Sequence, residues 1–506
     1  MMKPQNVNIS IRPDRVRGTV DPNVYGLHLE HIWNCVYPCV WVGRNARVFN
    51  VAGIRSDVAD LLAALKPAVC KYPGGYFSDF YDWRDGVGAK RPTRVCPTQP
   101  GRRETNAFGT AEFIALCRRI GAEPYLAVST TCLQPSEAAQ WVEYCNRDKD
   151  TFWSDRRRKD GYAKPFNVRY WAIGNEQYWI HSAREYAERY KLWAHWMYNT
   201  DPDITLVLSG IEPGIEGLAK EPWNADGTWG EEALRLTGAG QELFAGDWHR
   251  RAEDRNILYS IHPYFAAEPD CTPKQYYQAF NELDRRLPRS IESTVKLLDK
   301  YRGKHPRPRL CFDEYGLLHP GTSMVGNMTQ PAPFWAALWL GCFFQICHRY
   351  ASDVAMATLP GMVNMEHALV LVEEGRAVAT PSYHAFKMLR PHGGGQVLAM
   401  ATGRDLKCPT LTRSALRTLA TRSANGKTTT ISLINLHLEK TVPVTVELKN
   451  ERIHQARGQV LTAPLHARNS AQSPRTVQPT GMTLPIVQGK IRCDLPPHSL
   501  TVLETL

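Results

Sequence analysis

The sequence predicts a (β/α)₈ TIM barrel followed by an all-β sandwich domain. Between about residues 21 and 385, short apolar runs alternate with stretches of helical periodicity, which is the pattern of βα units around a parallel sheet. Eight strand candidates in a segment of this length favour a closed barrel over an open doubly wound sheet. No Gly-x-Gly-x-x-Gly motif follows the first strand, which argues against a dinucleotide-binding fold.

The predicted barrel strands are short apolar runs that end at turn-forming or polar residues. The second of them, for example, is closed by Pro73-Gly74-Gly75. In chain order, the candidates are Val24–Leu29, Val69–Tyr72, Pro124–Ser129, Arg169–Gly174, Thr205–Ser209, Ile257–Ile261, Leu310–Phe312 and Val354–Thr358.

Helical periodicity lies between several of these strands. In the first such segment, Phe113, Cys117 and Ile120 fall on one face, and Gly121 follows as a C-terminal cap. The predicted helices are Phe108–Ile120, Ser136–Cys145, Ala183–Tyr198 and Ile291–Tyr301.

After about residue 386 the helical periodicity disappears and alternation with period two replaces it. Thr428–Leu438 shows this alternation after the turn-forming pair Asn425-Gly426, and Val442–Leu448 and Ser499–Leu503 are similar. Residues 386–506 are therefore predicted to form a β-sandwich. Residues 1–20 carry one more short strand, Val7–Ile11, which is expected to pair with that sandwich.

The composition excludes several classes of protein. Hydrophobic residues make up 43% and charged residues 22%, an ordinary globular balance, and no stretch of 18 apolar residues predicts a membrane span. The net charge of +11 is scattered along the chain, and its densest run, Arg156–Lys159, is predicted to be a solvated loop. Without a nucleic-acid-binding motif, that charge predicts no nucleic-acid partner.

Two features predict a cytoplasmic protein without metal or cofactor. The 13 cysteines are odd in number and widely spread, as expected for free thiols in a reducing compartment, and Met1–Val7 lacks the apolar core of a signal peptide. His28 and His31 flank Glu30 and resemble metal ligands, but the motif supplies no third ligand. We therefore expect no metal site there.

Two glutamates directly follow predicted strands, at the positions where barrel enzymes carry their chemistry. Glu176 follows the fourth strand in Asn175-Glu176, and Glu314 follows the seventh in Asp313-Glu314. Cleavage of a glycosidic bond needs one carboxylic acid to protonate the leaving oxygen and one carboxylate to attack or to activate water. The pair predicts a glycoside hydrolase, retaining if the carboxyls lie about 5–5.5 Å apart and inverting at about 6.5–9.5 Å.

A series of longer segments carries a more specific signal. In order, they are YGLHLEH at Tyr25–His31, KYPGGYFSDFYDWRDGVG at Lys71–Gly88, TNAFGTAEFIALCRRIGAEPYLAV at Thr105–Val128, WVEYCN at Trp141–Asn146, WAIGNE at Trp171–Glu176, SIHPYF at Ser260–Phe265, FDEYG at Phe312–Gly316, TPSYHAFKML at Thr380–Leu389 and LPPHSLTVLE at Leu495–Glu504. Through them the chain resembles family 51 glycoside hydrolases, chiefly α-L-arabinofuranosidases, over nearly its whole length.

The resemblance implies a retaining, exo-acting enzyme that releases terminal α-L-arabinofuranosyl residues from small oligosaccharides and assembles as a homo-oligomer. It implies that Glu176 is the general acid/base and Glu314 the nucleophile. It further implies that Glu30 and Asn175 contact the sugar. His262 and Tyr264, on the sixth strand, would support the nucleophile side of the pocket.

Several residues near the expected sugar pocket depart from the family pattern. Lys71 stands where the family usually has Arg, Tyr76 where it has Asn, and Gly361 where it has Gln, while Thr130–Cys132 lacks the usual Asn/Gly-rich character. A large ring in place of an amide changes which sugar fits, because unmatched polar groups in a site discriminate strongly. Two alternatives therefore stay open: a retaining glycosidase for another furanoside or a β-xyloside, and a non-catalytic carbohydrate-binding protein.

Overall fold

In the computed structural model, eight parallel strands close into a barrel in which each strand pairs with its sequence neighbours and the eighth pairs with the first. The structure describes residues 6–99, 101–213, 228–241, 256–318, 332–365 and 367–505. The barrel strands are Gly26–His28, Val69–Tyr72, Glu123–Val128, Tyr170–Ile173, Thr205–Leu208, Ile257–Ser260, Arg309–Phe312 and Val354–Leu359. The predicted barrel is confirmed, and each predicted strand overlaps an observed one.

At least one helix follows every barrel strand and covers the outside of the sheet. The helices are Ser56–Ala64, Thr110–Ile120, Pro135–Asn146, Phe152–Lys159, Ala183–Thr200, Trp229–Thr237, Pro273–Tyr301, Phe334–Arg349 and Pro381–Leu389. The prediction for Ile291–Tyr301 found only the last third of the 29-residue helix Pro273–Tyr301, and Pro288 lies inside the part that it missed. Buried Leu287 and Ile291 continue the inward face past this proline, so packing outweighs the hydrogen bond that proline removes.

The prediction of a solvated loop at Arg156–Lys159 was wrong. These residues end the helix Phe152–Lys159, and the Arg157 side chain is fully buried. Its guanidinium donates to the backbone carbonyls of Tyr144, Arg147, Asp148 and Tyr162. Because five N–H donors in a fixed fork can satisfy several carbonyls at once, this arginine joins chain segments instead of adding to a surface charge.

The C-terminal region forms a ten-stranded sheet whose apolar faces enclose a core of their own. Its central strand, Val7–Thr19, comes from the other end of the chain; it is antiparallel to Gln396–Thr402 and parallel to Val442–Leu448. The strands of Val444 and Leu433 lie on opposite sides of this central strand in the sheet. The two side chains nevertheless pack in one core, as expected for the two faces of a sandwich. The other strands are Leu416–Arg422, Thr429–Asn435, Ala456–Thr462, Thr480–Met482, Ile486–Val487, Lys490–Leu495 and Ser499–Thr505.

The helix Phe334–Arg349 joins the two domains. It is buried on nearly every side, and Gln345 donates from it to Ser432 in the C-terminal sheet. Gly341 lets the sheet approach closely, since a Cβ atom there would lie 2.9 Å from Ile434. Over the described residues, no helix is both long and apolar enough to cross a bilayer.

Candidate active site

Charged and polar side chains converge at the carboxyl ends of five barrel strands. Glu30, Glu176 and Glu314 follow the first, fourth and seventh strands, His262 follows the sixth, and Lys71 lies within the second. Parallel barrel strands end at one face, so residues far apart in sequence meet there. The structure thus brings together the two glutamates that sequence position singled out.

Glu176 is held in an uncommon backbone conformation by the residue after it. Its φ and ψ angles are 45° and 46°, in the left-handed region that costs energy for a residue with a side chain. The buried Gln177 amide donates to the Asn175 carbonyl at 3.0 Å and to Asp79 Oδ1 at 2.9 Å, and its oxygen accepts from the Thr130 hydroxyl. This network fixes the turn that aims Glu176 into the barrel mouth.

Glu314 lies against glycine backbone and one tyrosine. The Tyr264 hydroxyl donates to Oε2 at 2.9 Å, whereas Oε1 is buried and accepts no hydrogen bond. A Cβ atom on Gly75 would lie 2.3 Å from that oxygen, so only glycine permits the approach. Tyr264 therefore orients the Glu314 carboxylate through Oε2 and leaves Oε1 available for reaction.

His262 connects the two glutamates to a third carboxylate that sequence reasoning did not assign. Its Nδ1 lies 2.8 Å from Glu176 Oε1 and 3.5 Å from Glu314 Oε2, and its Nε2 lies 3.1 Å from Asp313 Oδ1. Burial lowers the pKa of His262, but the surrounding carboxylates outweigh burial and raise it to about 10. The ring is therefore an imidazolium that donates from both nitrogens.

Asp313 and Lys71 form a buried ion pair beneath the glutamates. Lys71 Nζ lies 2.8 Å from Asp313 Oδ2, donates to Asn175 Oδ1 at 2.8 Å, and lies 3.6 Å from Glu314 Oε1. Burial opposes ionisation of Asp313, yet Lys71 and His262 hold its pKa well below the usual range. Its place just after the seventh strand, two residues beyond Cys311, was the available signal, since residues two apart in a strand face the same side.

Glu30 lies beside Glu314, against the Pro73-Gly74-Gly75 turn, since a Cβ atom on Gly75 would lie 3.4 Å from Glu30 Oε2 as well as close to Glu314. The Phe77 amide donates to its Oε1 at 3.2 Å, and a Cβ atom on Gly74 would lie 2.4 Å from its Cγ. Burial, together with the nearby charge of Glu314, raises the pKa of Glu30 to about 7. This carboxyl changes charge near neutral pH.

The two expected catalytic carboxyls differ in exposure and in proton affinity. Glu176 exposes 23% of its side chain and Glu314 only 9%. Burial raises the pKa of Glu176, but hydrogen bonds from His262 and Tyr178 outweigh it and the net shift is downward. Burial also raises the pKa of Glu314, and that upward direction persists despite His262 and Lys71.

Three residues that the sequence singled out, Tyr76, Gly361 and His31, lie outside this cluster, whereas His28 is buried near Lys71 and Asp313. Tyr76 is 50% exposed, and its ring packs edge-on against Phe80 with centroids 5.1 Å apart. Gly361 has a φ of 57°, and a Cβ atom there would overlap Met365. His31 bonds to Glu104 and Tyr72, while His28 is buried with neither ring nitrogen bonded. The two histidines therefore do not converge on a common ligand position.

One group of ligand-type atoms within the described residues has the spacing of a metal site. One atom each from Glu176, His262 and Glu314 lies within 4.8 Å of the others. A metal requires a lone pair on the histidine, whereas each ring nitrogen of His262 lies within hydrogen-bond distance of a carboxylate oxygen, which favours a proton on both nitrogens. The cluster fits proton transfer better than metal binding.

Two family models match this chain, one within the first half of the barrel and one over the end of the barrel and the C-terminal region. The family model for the α-L-arabinofuranosidase 1 domain matches residues 61–224, and that for the α-L-arabinofuranosidase C-terminal domain matches residues 313–499. α-L-Arabinofuranosidase C of Emericella nidulans is 33% identical over 72% of this chain and 71% of its own length. The chain belongs to the family 51 α-L-arabinofuranosidases.

Other relatives extend this match across the whole chain. An intracellular exo-α-L-arabinofuranosidase of Bacteroides ovatus is 28% identical over 99% of this chain and 96% of its own. The family 51 arabinofuranosidase of Xanthomonas axonopodis pv. citri superposes with a TM-score of 0.86 at 26% identity, over 99% of this chain and 100% of that one. An arabinose complex of the Thermotoga maritima enzyme gives 0.85 at 25% identity, with the same coverage.

Proposed function

We propose that this arabinofuranosidase family member is a retaining exo-glycoside hydrolase that releases terminal α-L-arabinofuranosyl residues from oligosaccharides. One observation carries the proposal: ligand oxygens of Glu176 and Glu314 lie within 4.8 Å of each other across the barrel mouth. Retaining glycosidases place their carboxyls about 5–5.5 Å apart, whereas inverting enzymes need about 6.5–9.5 Å for a water molecule.

In the first step, Glu314 Oε1 bonds to the anomeric carbon as the glycosidic C–O bond breaks. Glu176 gives its proton to the leaving oxygen. In the second step, water attacks that carbon, Glu176 takes the proton of the water, and the bond to Glu314 breaks. The unbonded Oε1 of Glu314 and the greater exposure of Glu176 support these roles, because the acid/base must also reach water.

The two catalytic carboxyls have pKa values that are shifted in opposite directions. Burial raises the pKa of Glu314, whereas hydrogen bonds from His262 and Tyr178 lower that of Glu176 despite its burial. Attack requires Glu314 to be ionised, and departure of the leaving oxygen requires a proton on Glu176. His262 stays within reach of both carboxylates and stabilises whichever is charged.

The remaining predicted residues position the sugar. Asn175 Oδ1 accepts from Lys71, which turns the amide N–H groups toward a sugar hydroxyl. Glu30 offers a carboxyl beside Glu314, and Tyr264 holds Glu314 in place. Hydrogen bonds to the sugar 2-hydroxyl that tighten in the transition state would contribute to rate.

The test is release of p-nitrophenol from a panel of aryl glycosides: α-L-arabinofuranoside, β-D-galactofuranoside, β-D-xyloside and β-D-glucoside. We expect turnover of the arabinofuranoside, and a loss of about 10³-fold or more in Glu314→Ala. Turnover of another sugar alone would keep the mechanism and replace the substrate. Absence of turnover on every member would contradict the proposal.

Leaving-group dependence separates the two glutamates. Glu176→Ala should slow release of a poor leaving group far more than release of p-nitrophenol, which departs without a proton. Glu314→Ala should slow both to the same extent. Azide added to Glu176→Ala should restore turnover and give a glycosyl azide of retained configuration, because the intermediate on Glu314 still forms.

We further propose a cytoplasmic, oligomeric enzyme. All 13 cysteines lie within the described residues and none forms a disulfide, as expected for a reducing compartment. The Bacteroides ovatus relative is named as intracellular. Cell fractionation and light scattering test these two statements directly.

A further inference from the structure

The helix Pro273–Tyr301 directs one arginine at the short strand that carries Tyr264. Arg286 Nη1 donates to the Tyr264 backbone carbonyl at 2.7 Å. The guanidinium also lies over the buried ring of Phe265, 4.9 Å from the ring centroid. Arg286 therefore contacts two consecutive residues of the strand Tyr264–Ala266, one through a hydrogen bond and the other through a cation–π interaction.

A buried carboxyl group from the loop after the fifth barrel strand lies beside this arginine. Arg286 Nη2 is 3.3 Å from Oε2 of Glu212, whose side chain is only 2% exposed. Burial raises the pKa of Glu212, although Arg286 lies next to it. The two Nη atoms thus have different acceptors, Glu212 and the Tyr264 carbonyl. Because the guanidinium is a rigid planar fork, the side chain cannot turn without losing one of them.

The strand that Arg286 contacts also carries the hydrogen bond to the nucleophile. Tyr264–Ala266 pairs with Gly316–Leu318 in a two-stranded sheet outside the barrel, and Gly316 lies two positions after Glu314. The Tyr264 hydroxyl donates to Glu314 Oε2 at 2.9 Å. Hydrogen bonds weaken steeply as their distance and angle depart from the optimum, so a small shift of this three-residue strand would weaken the contact.

We propose that Arg286, oriented by Glu212, is a positioning residue for the nucleophile that acts through Tyr264; this rests on the proposed function. Glu212 fixes the guanidinium, the guanidinium fixes the Tyr264 backbone, and the Tyr264 hydroxyl fixes Glu314 Oε2. The arginine thereby keeps the other oxygen, Oε1, directed at the anomeric carbon without contacting the sugar itself.

Loss of this support should change the proton affinity of Glu314. A donor to a carboxylate stabilises the ionised form, so displacement of the Tyr264 hydroxyl raises the pKa of Glu314. Attack needs the ionised carboxylate, and the acid limb of kcat/KM plotted against pH therefore moves to higher pH. The other carboxyl, ammonium and imidazole groups that face Glu314 are unchanged by substitution of Arg286: Glu30, Lys71, Glu176, His262 and Asp313.

The test measures kcat, KM and the pH dependence of kcat/KM on p-nitrophenyl α-L-arabinofuranoside. Arg286→Met should lower kcat about tenfold with little change in KM, and should move the acid limb upward by about one pH unit. In a Tyr264→Phe background, which already lacks the hydroxyl, Arg286→Met should change kcat by less than about twofold. Arg285→Met is the matched control. This neighbouring arginine is 62% exposed and pairs with Glu282, so its loss should change neither quantity.

Two further variants separate positioning from folding. Arg286→Lys keeps a donor for the Tyr264 carbonyl and should restore part of the lost kcat. Arg286→Met leaves the carboxyl of Glu212 buried without its cation, which can destabilise the fold. The double variant Arg286→Met/Glu212→Gln removes that carboxyl and should unfold at a higher temperature than Arg286→Met, while its low kcat and shifted acid limb remain.

A loss of kcat that is as large in the Tyr264→Phe background as in the wild type would overturn the proposal, as would an unchanged acid limb in Arg286→Met. Failure of the proposed function has a different signature, namely no turnover of arabinofuranosides by the wild type. NMR titration of the carbon-13-labelled Glu314 carboxyl, assigned with Glu314→Gln, then tests the positioning role without substrate. Equal pKa values of Glu314 in the wild type and Arg286→Met would overturn it.

Discussion

Two neighbouring layers inside the barrel are built from the same strands but stabilised in opposite ways. In the second strand Val69 lies in an apolar layer and Lys71 in the charged cluster; in the seventh, Cys311 and Asp313 repeat this arrangement. Residues two apart in a strand face the same side, so each pair points into the barrel. In each of these strands, the residue two positions closer to the carboxyl end is a buried charge instead of an apolar side chain.

Because one layer is apolar and the other charged, we expect the two layers to respond differently to mutation. The apolar layer depends on volume, because its side chains fill space without exposed polar atoms. The charged layer depends on charge balance. Among the described residues, the cations next to its carboxyls Glu30, Glu176, Asp313 and Glu314 are Lys71 and His262. Loss of one charge in the charged layer should therefore lower the stability of the protein more than loss of one methyl group in the apolar layer below.

The largest effect should come from Lys71→Met, which leaves Asp313 buried without its nearest cation. Breaking a buried pair from one side costs about 3–5 kcal/mol in the free energy of unfolding. Urea denaturation measures this loss. Lys71→Arg, which keeps the charge, is the matched control, and the double variant Lys71→Met/Asp313→Asn should recover part of the stability. A Lys71→Met protein as stable as the wild type would show that the layer does not depend on charge balance.

Glu30 should make stability depend on pH. Its pKa rises from 4.5 to about 7 on folding, so between these values the folded protein binds more protons than the unfolded chain. The contribution is fully present below pH 4.5 and is lost as the pH rises through 7, a change of about 3 kcal/mol. Glu30→Gln should flatten this fall in denaturation curves recorded from pH 4.5 to 8. Asp79, whose pKa is raised to about 8 by burial, contributes in the same direction and remains in the variant.

In the apolar layer, Val207→Ala should cost about 2 kcal/mol of stability through lost burial and an unfilled cavity. Activity below the unfolding temperature should change by less than about threefold, because Val207 belongs to the apolar layer and carries no group that reacts. Thermal denaturation and kcat/KM measured on the same samples test both statements. A large loss of activity without a loss of stability would mean that the two layers are coupled.

The smallest effect is expected at Asp79, a positioning residue that acts on Glu176 through Gln177. Asp79→Ala removes the acceptor of the Gln177 amide and should lower kcat about tenfold, or about 1.4 kcal/mol, with little change in KM. Asp79→Asn keeps an acceptor oxygen and should restore most of the loss. Equal behaviour of the Ala and Asn variants would contradict the positioning role.

The sequence predicted the barrel because each strand is a continuous apolar run, and it predicted Glu176 and Glu314 because strand-end positions are recognisable. Glu30, Asn175, His262 and Tyr264 were predicted only through the family resemblance. The hydrogen-bond network around these carboxylates could not be predicted from the sequence. His262 bonds to residues 86 and 51 positions away, and Gln177 to a residue 98 positions away. Such pairings arise only when the barrel closes. Arg157 was misread for a related reason, because a run of basic residues does not reveal which side chain points inward.

The strand Val7–Thr19 also sets an order of events during synthesis. Its backbone needs Gln396–Thr402 and Val442–Leu448 as partners, and the Thr445 hydroxyl reaches Asn6 across 439 positions of sequence. While the ribosome extends the chain, the strand Val7–Thr19 lacks its partner strands, although the barrel that follows it can already collapse. Completion of the C-terminal sheet must wait for residues made last. Ribosome-bound intermediates should therefore carry an unprotected amino-terminal segment, accessible to proteases until translation ends.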